Sequence, residues 1–189
     1  MRLEEAKQIA EKYLNLLKPY CWRIEIAGSI RREKPEVKDI EIVVLLSEFD
    51  LEFDTDEHQM PRDLVGFSYE VNKLEKVKGE PTGKYTQRML PEGIKLDLFM
   101  ANEKNWGLIF AIRTGSAEFS HKVLARGWVR AGYKSVNGML RQNCFLQELV
   151  DKNKTQIFGQ IIDVREEIDL FNLIGVPYIE PKLREVKDG

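Results

Sequence analysis

The chain has 189 residues, 43% apolar and 32% charged, which fits one ordinary domain or two small ones around a shared core and excludes intrinsic disorder, collagen-like repeats and a disulfide scaffold. A net charge of −2 argues against nonspecific nucleic-acid binding, and no apolar run reaches the roughly 18 residues that cross a bilayer. Two cysteines, Cys21 and Cys144, without a C-x-x-C pair, two histidines, and an N-terminus with no signal-peptide core point to a reduced, cytoplasmic setting with no zinc site.

Residues 3–18 carry Leu3, Ala6, Ile9, Ala10, Tyr13, Leu14 and Leu17 on one stripe and stop at Pro19, which predicts a helix. Arg23–Ala27 alternates like a strand and runs into Gly28-Ser29. Ile40–Leu46 is apolar and β-branched except for Glu41, the pattern of a central strand. An acidic loop follows, with seven acids from Ser47 to Asp63 against Arg62. Pro61 opens a helix bearing Leu64, Phe67, Val71 and Leu74. Glu75–Lys78 and Lys84–Leu90 read as strands joined by the turn Gly79–Gly83, and Lys95–Ala101 as another strand. Trp106–Ile112 is apolar, Thr114-Gly115-Ser116 breaks it, and Ala117–Ala131 predicts a helix. Asn137-Gly138 marks a hairpin, and a short helix at Glu166–Ile174 stops at Gly175 and Pro177. A subdomain boundary falls near residues 102–104, dividing the chain into 1–103 and 104–189.

Asn102 to Asn143 holds seven bases (Lys104, Arg113, Lys122, Arg126, Arg130, Lys134, Arg141) against Glu103 and Glu118, either an anion-facing surface or a solvated helix face. Asp39 and Glu41, two apart, leave one face of a strand. Asp97 joins them if its own strand is a neighbour. Three converging carboxylates repel unless cations neutralise them, and oxygen-only ligands favour magnesium or manganese. The alternative is three outward positions on half-exposed strands. Gly28 and Ser29 precede this pair by a strand-to-loop turn, with nine residues between Ser29 and Asp39. A glycine admits a phosphate close to the backbone, serine adds donors, and Arg31 and Arg32 supply guanidinium groups.

AGSIRREKPEVKDIEIVV (27–44), with Asp97 in KLDLFM, resembles the signature of the polymerase-beta-type nucleotidyltransferase superfamily. IRTGSAEFSHKVLARGW (112–128) and EEIDLFNLIGVPYIEPKLRE (166–185) are similar to the nucleotide-holding turn and the C-terminal ending of its family X DNA polymerases. The resemblance runs from residue 20 onward. It implies an α/β (α+β) fold, a palm with a mixed sheet and helices on one face plus a small C-terminal α+β subdomain that selects the nucleotide. It further implies two Mg²⁺ ions, replaceable by Mn²⁺, with Asp39 and Glu41 binding both and Asp97 only the ion that activates the primer 3′-hydroxyl. Gly28, Ser29 and Arg32 would meet the triphosphate; Thr114, Gly115 and Ser116 would lie against the nucleotide. Lys84, Arg88, Lys122, Arg126 and Arg130 would face nucleic acid.

The expected activity is DNA-directed DNA polymerisation on short gaps or primer ends, as in DNA repair. Template-independent transfer to RNA, protein or a small molecule is the second reading, and a noncatalytic nucleotide- or DNA-binding remnant the third. The pattern departs from the family in three places. Glu41 stands where Asp is usual, Ile112-Arg113 replaces an aromatic pair, and a single helix stands where lyase and helix-hairpin-helix regions usually precede the palm. Weak DNA binding, with a protein partner for recruitment, and no membrane association are therefore expected. His121, Trp106, Trp128, Cys21 and Cys144 read as surface or core residues.

Overall fold

The stripe of apolar residues in the first helix, α1 (Leu3–Leu17), is buried at Ala6, Ile9, Ala10, Tyr13 and Leu17, and the chain leaves it through a tight turn at Lys18–Tyr20 around Pro19. The structure, a computed structural model, describes residues 1–46, 62–143 and 159–186. The acidic loop and Cys144 lie outside the described residues. Among the described residues no helix is long and apolar enough to cross a membrane.

Five strands form a mixed sheet: β1 (Arg23–Ile26), β2 (Asp39–Leu45), β3 (Glu75–Lys78), β4 (Tyr85–Met89) and β5 (Lys95–Ala101), ordered β1-β2-β5-β4-β3. β2 and β5 run parallel; the other pairs are antiparallel. On one face Ile24, Ile40, Ile42, Val44, Leu96 and Leu98 pack against α1 and against Phe67 and Val71 of helix α3 (Arg62–Asn72), above the short helical turn α2 (Gly28–Arg31). Burying each such side chain stabilises by about 1.5–3 kcal/mol.

The other face is divided along its length. Val43, Leu45 and Phe99 lie beneath Trp106 and Phe110 of α4 (Trp106–Thr114), while the Asp39 end carries acids. β2 is thus apolar on both sides at Val43–Leu45 because both sides are covered. Of the helices in residues 1–103, α1 and α3 cover one face, and α4 closes part of the second.

A second core gathers Leu108 and Ala111 of α4 with Phe119, Leu124, Trp128, Leu140, Val164, Leu170 and Phe171. Its helices are α5 (Ala117–Phe119), a π-helical stretch at Ser120–Ala125, α6 (Arg126–Arg130) and α7 (Glu167–Leu173), and its strands β6 (Tyr133–Val136), β7 (Met139–Gln142) and β8 (Ile161–Ile162). The β6–β7 hairpin turns on Asn137 and Gly138, with φ of 54° and 82°, the left-handed pair that a two-residue hairpin demands. Gly107 lets α4 meet α7 closely: a Cβ there would sit 2.2 Å from the Glu166 carbonyl oxygen.

The halves are stapled by charge. Arg31 donates two hydrogen bonds of 2.8 Å to the Glu167 carboxylate and one of 2.6 Å to Thr114 Oγ1. Arg184, fully buried, grips the same carboxylate from the C-terminal segment, and the Tyr178 hydroxyl adds a further partner. Burial alone would push the Glu167 carboxyl up, but hydrogen bonds from Arg31 and Arg184 outweigh it and hold the group below its ordinary value.

Candidate active site

The register of the sheet assembles the acids. Glu41 stands directly beside Asp97 on the parallel pair, and Gln87 of β4 stands beside Asp97 on the other side, so Glu41, Asp97 and Gln87 form one row across three strands. Strands are about 4.8 Å apart, so side chains in such a row touch one another. Asp39, two residues before Glu41, shares the face and pairs in register with Lys95. Asp97 is 6% exposed although it is an acid in a strand. Its Oδ1 accepts hydrogen bonds from Gln87 Nε2 at 2.7 Å and from the Tyr85 hydroxyl at 3.0 Å.

The electrostatics show a site short of positive charge. Burial, then the Asp39 charge, pushes the Glu41 carboxyl up to about 7. Burial and the Asp97 charge raise Asp39 as well. Burial and the hydrogen bond to Asp97 push Tyr85 up to about 12. The cation α4 contributes is Arg113, whose guanidinium lies 3.9 Å from the Phe99 ring centre and lowers Glu41. Arg113 thus faces the carboxylates from the slot where the resembled family carries an aromatic residue.

Among the described residues no three His, Cys, Asp or Glu side chains stand together so as to hold a metal ion. The donor chemistry nonetheless fits a hard divalent cation. The donors are oxygen only, and burial, then repulsion between neighbouring carboxylates, raises two of the groups against the chain's own cations. Asp39, Glu41 and Asp97 are the residues that would hold it.

The neighbouring turn is arranged differently from the sequence expectation. Gly28, at φ +62°, leaves space that Glu41 fills: a Cβ there would lie 2.1 Å from Glu41 Oε2. Glu41 thus occupies the space beside the Gly28 backbone. Ser29 Oγ is buried without a hydrogen-bond partner. Arg32, expected at the triphosphate, instead donates to Glu185 Oε1 at 2.8 Å and to the Thr114 carbonyl at 2.6 Å, and Lys34 shares Glu185 at 3.2 Å. Arg31 is committed to the staple.

Thr114, Gly115 and Ser116 form a structural junction. Thr114 is buried and accepts from both Arg31 and Arg32. A Cβ on Gly115 would lie 2.7 Å from the Phe119 ring, and Ser116 Oγ caps α5 by accepting from the Phe119 amide at 3.1 Å. Arg88, expected to face nucleic acid, does not. It is fully buried, donating to the carbonyls of Val71, Lys78, Gly79 and Gln87 and to Thr86 Oγ1, and is not available to nucleic acid. Alternation along β4 sends Arg88 to the face opposite Tyr85 and Gln87, where it ties the β3–β4 turn to α3.

Lys84, His121, Lys122, Arg126 and Arg130 lie toward the surface, and the last three recur every four residues along the run from α5 to α6, with Lys122 also paired to Glu118 at 3.1 Å. Trp106 and Trp128 are buried. Cys21 is half-buried and its thiol donates to the Leu17 carbonyl at 3.2 Å. Tyr85, Gln87, Glu167, Arg184 and Glu185 are absent from the sequence expectation. Tyr85 and Gln87 had one signal, two polar side chains at alternate positions of a strand whose hairpin partner carries Asp97. A scan against models of known protein families and a search of curated proteins find no match to this chain.

Proposed function

We propose that the protein is a metal-dependent nucleotidyltransferase, a DNA-directed polymerase of the family X type acting on short gaps or primer ends. The observation that carries this reading is the alignment of Asp39, Glu41 and Asp97 on one sheet face beside the Gly28-Ser29 turn. The reaction joins a primer 3′-oxygen to the α-phosphorus of a nucleoside triphosphate and breaks the α–β bridge, releasing pyrophosphate. Asp39, Glu41 and Asp97 would hold Mg²⁺ or Mn²⁺, which would supply charge stabilisation to the reacting oxygens.

The chain's own residues do the rest. Asp97 stands in register beside Glu41. The unpartnered Ser29 hydroxyl is a ready donor for a phosphate oxygen. For Arg32 to meet a phosphate, the phosphate would take the place of Glu185. Arg113 offsets part of the negative charge, and Lys122, Arg126 and Arg130 offer a surface row to a nucleic-acid backbone.

The test is incubation of labelled gapped DNA, single-stranded DNA and RNA with each nucleoside triphosphate and Mg²⁺ or Mn²⁺. Templated extension is expected. Untemplated tailing replaces the reading with a template-independent transferase, and no reaction on any acceptor replaces it with a noncatalytic binding protein.

A further inference from the structure

β4 faces the acids with two side chains that the function above does not use. Gln87 is in register with Asp97, and Tyr85 is in register with Phe99, the residue two further along the same strand. Both side chains reach the same oxygen, Asp97 Oδ1, at 2.7 and 3.0 Å. Among the described residues Oδ2 receives no hydrogen bond.

A buried acid that needed only to be satisfied is served by donors on either oxygen. Two donors on one oxygen do something further: they fix the rotation of the carboxylate and leave one particular oxygen with its lone pairs free. The donors are themselves held. The Tyr85 ring stacks on Phe99 with centres 5.0 Å apart and planes at 22°, and Gln87 springs from the strand position directly beside Asp97. The geometry points to Tyr85 and Gln87 as positioning residues that aim Asp97 Oδ2 at a divalent cation shared with Asp39 and Glu41. This rests on the metal-dependent reading above. Partners that orient a ligating carboxylate commonly change metal affinity by about 10–100-fold when removed.

Tyr85→Phe is the clean variant, because it deletes the hydroxyl and keeps the ring on Phe99; Gln87→Met removes the other donor at similar length. Mn²⁺ alone is titrated into the full chain and its binding followed by water-proton relaxation, with thermal unfolding recorded in parallel. Each variant is expected to raise the Mn²⁺ dissociation constant about 10-fold or more while the metal-free melting curve moves little. In an Asp97→Asn background neither variant should weaken Mn²⁺ binding further, because both act through that carboxylate. In the transfer assay kcat falls and the nucleotide KM holds, since Asp97 is assigned to the ion that does not hold the triphosphate.

Unchanged Mn²⁺ binding in both variants overturns the inference and leaves the nucleotidyltransferase reading standing. An effect that persists in the Asp97→Asn background also overturns it, as the residues would then act elsewhere. Weakened Mn²⁺ binding in a protein that transfers no nucleotide supports the positioning role and removes the polymerase. Absence of Mn²⁺ binding by the unaltered chain overturns the positioning role outright.

Discussion

Two charged clusters meet at the α2 turn and are built on opposite rules. Around Glu167, one carboxylate sits between the guanidinium groups of Arg31 and Arg184, and its charge is answered from both sides. Around Asp39, Glu41 and Asp97, like charges are gathered on one sheet face with Arg113 as a partial answer. The first cluster holds its acid below the ordinary range; the second pushes Glu41 and Asp39 above it. A buried cluster that completes itself is a joint. Acids that burial and like charge hold above the ordinary range cluster at functional sites across proteins.

The sharpest way to break this contrast is to remove one charge from the acidic row. Asp39→Asn and Asp97→Asn should each lower turnover by about 100-fold or more, because a ligand charge is removed where transition-state charge develops. Asp39→Asn should also weaken nucleotide binding, and Asp97→Asn should not. Near-normal steady-state turnover in Asp97→Asn would take the third carboxylate out of the chemistry.

Removing the staple acts on stability instead. Glu167→Leu leaves two guanidinium groups facing each other without their anion and should cost about 3–5 kcal/mol in urea unfolding. A loss below the error of that measurement would mean that Arg31 and Arg184 find other partners at no cost.

The two clusters should also answer pH with opposite signs. Glu167 has a depressed folded pKa, so its contribution is present above the unfolded carboxylate value, roughly 4.3, and is lost as pH falls through the folded one. Glu41 has a raised one, about 7, so the metal-free native state holds a proton that the unfolded chain has released. Its burden on stability therefore grows as pH rises from roughly 4.3 to 7. Glu41→Gln should stabilise the metal-free protein by about 1–3 kcal/mol at pH 8 and by little at pH 4. The comparison of urea midpoints at those two pH values checks it, and an equal gain at both would point to packing rather than charge.

Smaller effects concern the cations. Glu185→Gln frees Arg32 and should tighten binding of a nucleoside triphosphate by about two- to fivefold in a fluorescence titration, the size of a part-exposed ion pair. Weaker binding would show that Glu185 orders Arg32 rather than competing for it. Neutral substitutions at Lys122, Arg126 and Arg130 should each flatten the log–log salt dependence of DNA binding by about 0.7–0.9 for every phosphate left without its cation. An unchanged slope would make the row a solvated face.

Local pattern was enough for much of the fold. The stripe of α1, the apolar run of β2, the Asn137-Gly138 turn and the Gly175 stop are set by side-chain periodicity and backbone conformation, which operate over a few residues. Asp39 and Glu41 are legible for the same reason, since alternation puts both on one face. Asp97 is legible as a polar slot in an apolar strand, but its partnership is not, because the pairing of β2 with β5 joins positions more than fifty residues apart.

Where pattern misleads, a distant partner has decided the outcome. Arg88 looks like a surface cation because nothing in Tyr85–Met89 says that its face is roofed by α3. Arg31 and Arg32 look free because their carboxylates, Glu167 and Glu185, lie more than 130 residues along the chain. Gly28 reads as a place of close approach, and it is one, but Glu41 is what approaches. The sequence by itself determined the elements and the residue types at the acidic face, because periodicity and turn geometry are short-range. Only the tertiary structure decided which charges are answered, because neutralisation depends on which side chains the strand register and the seam between the two cores bring within a few ångströms.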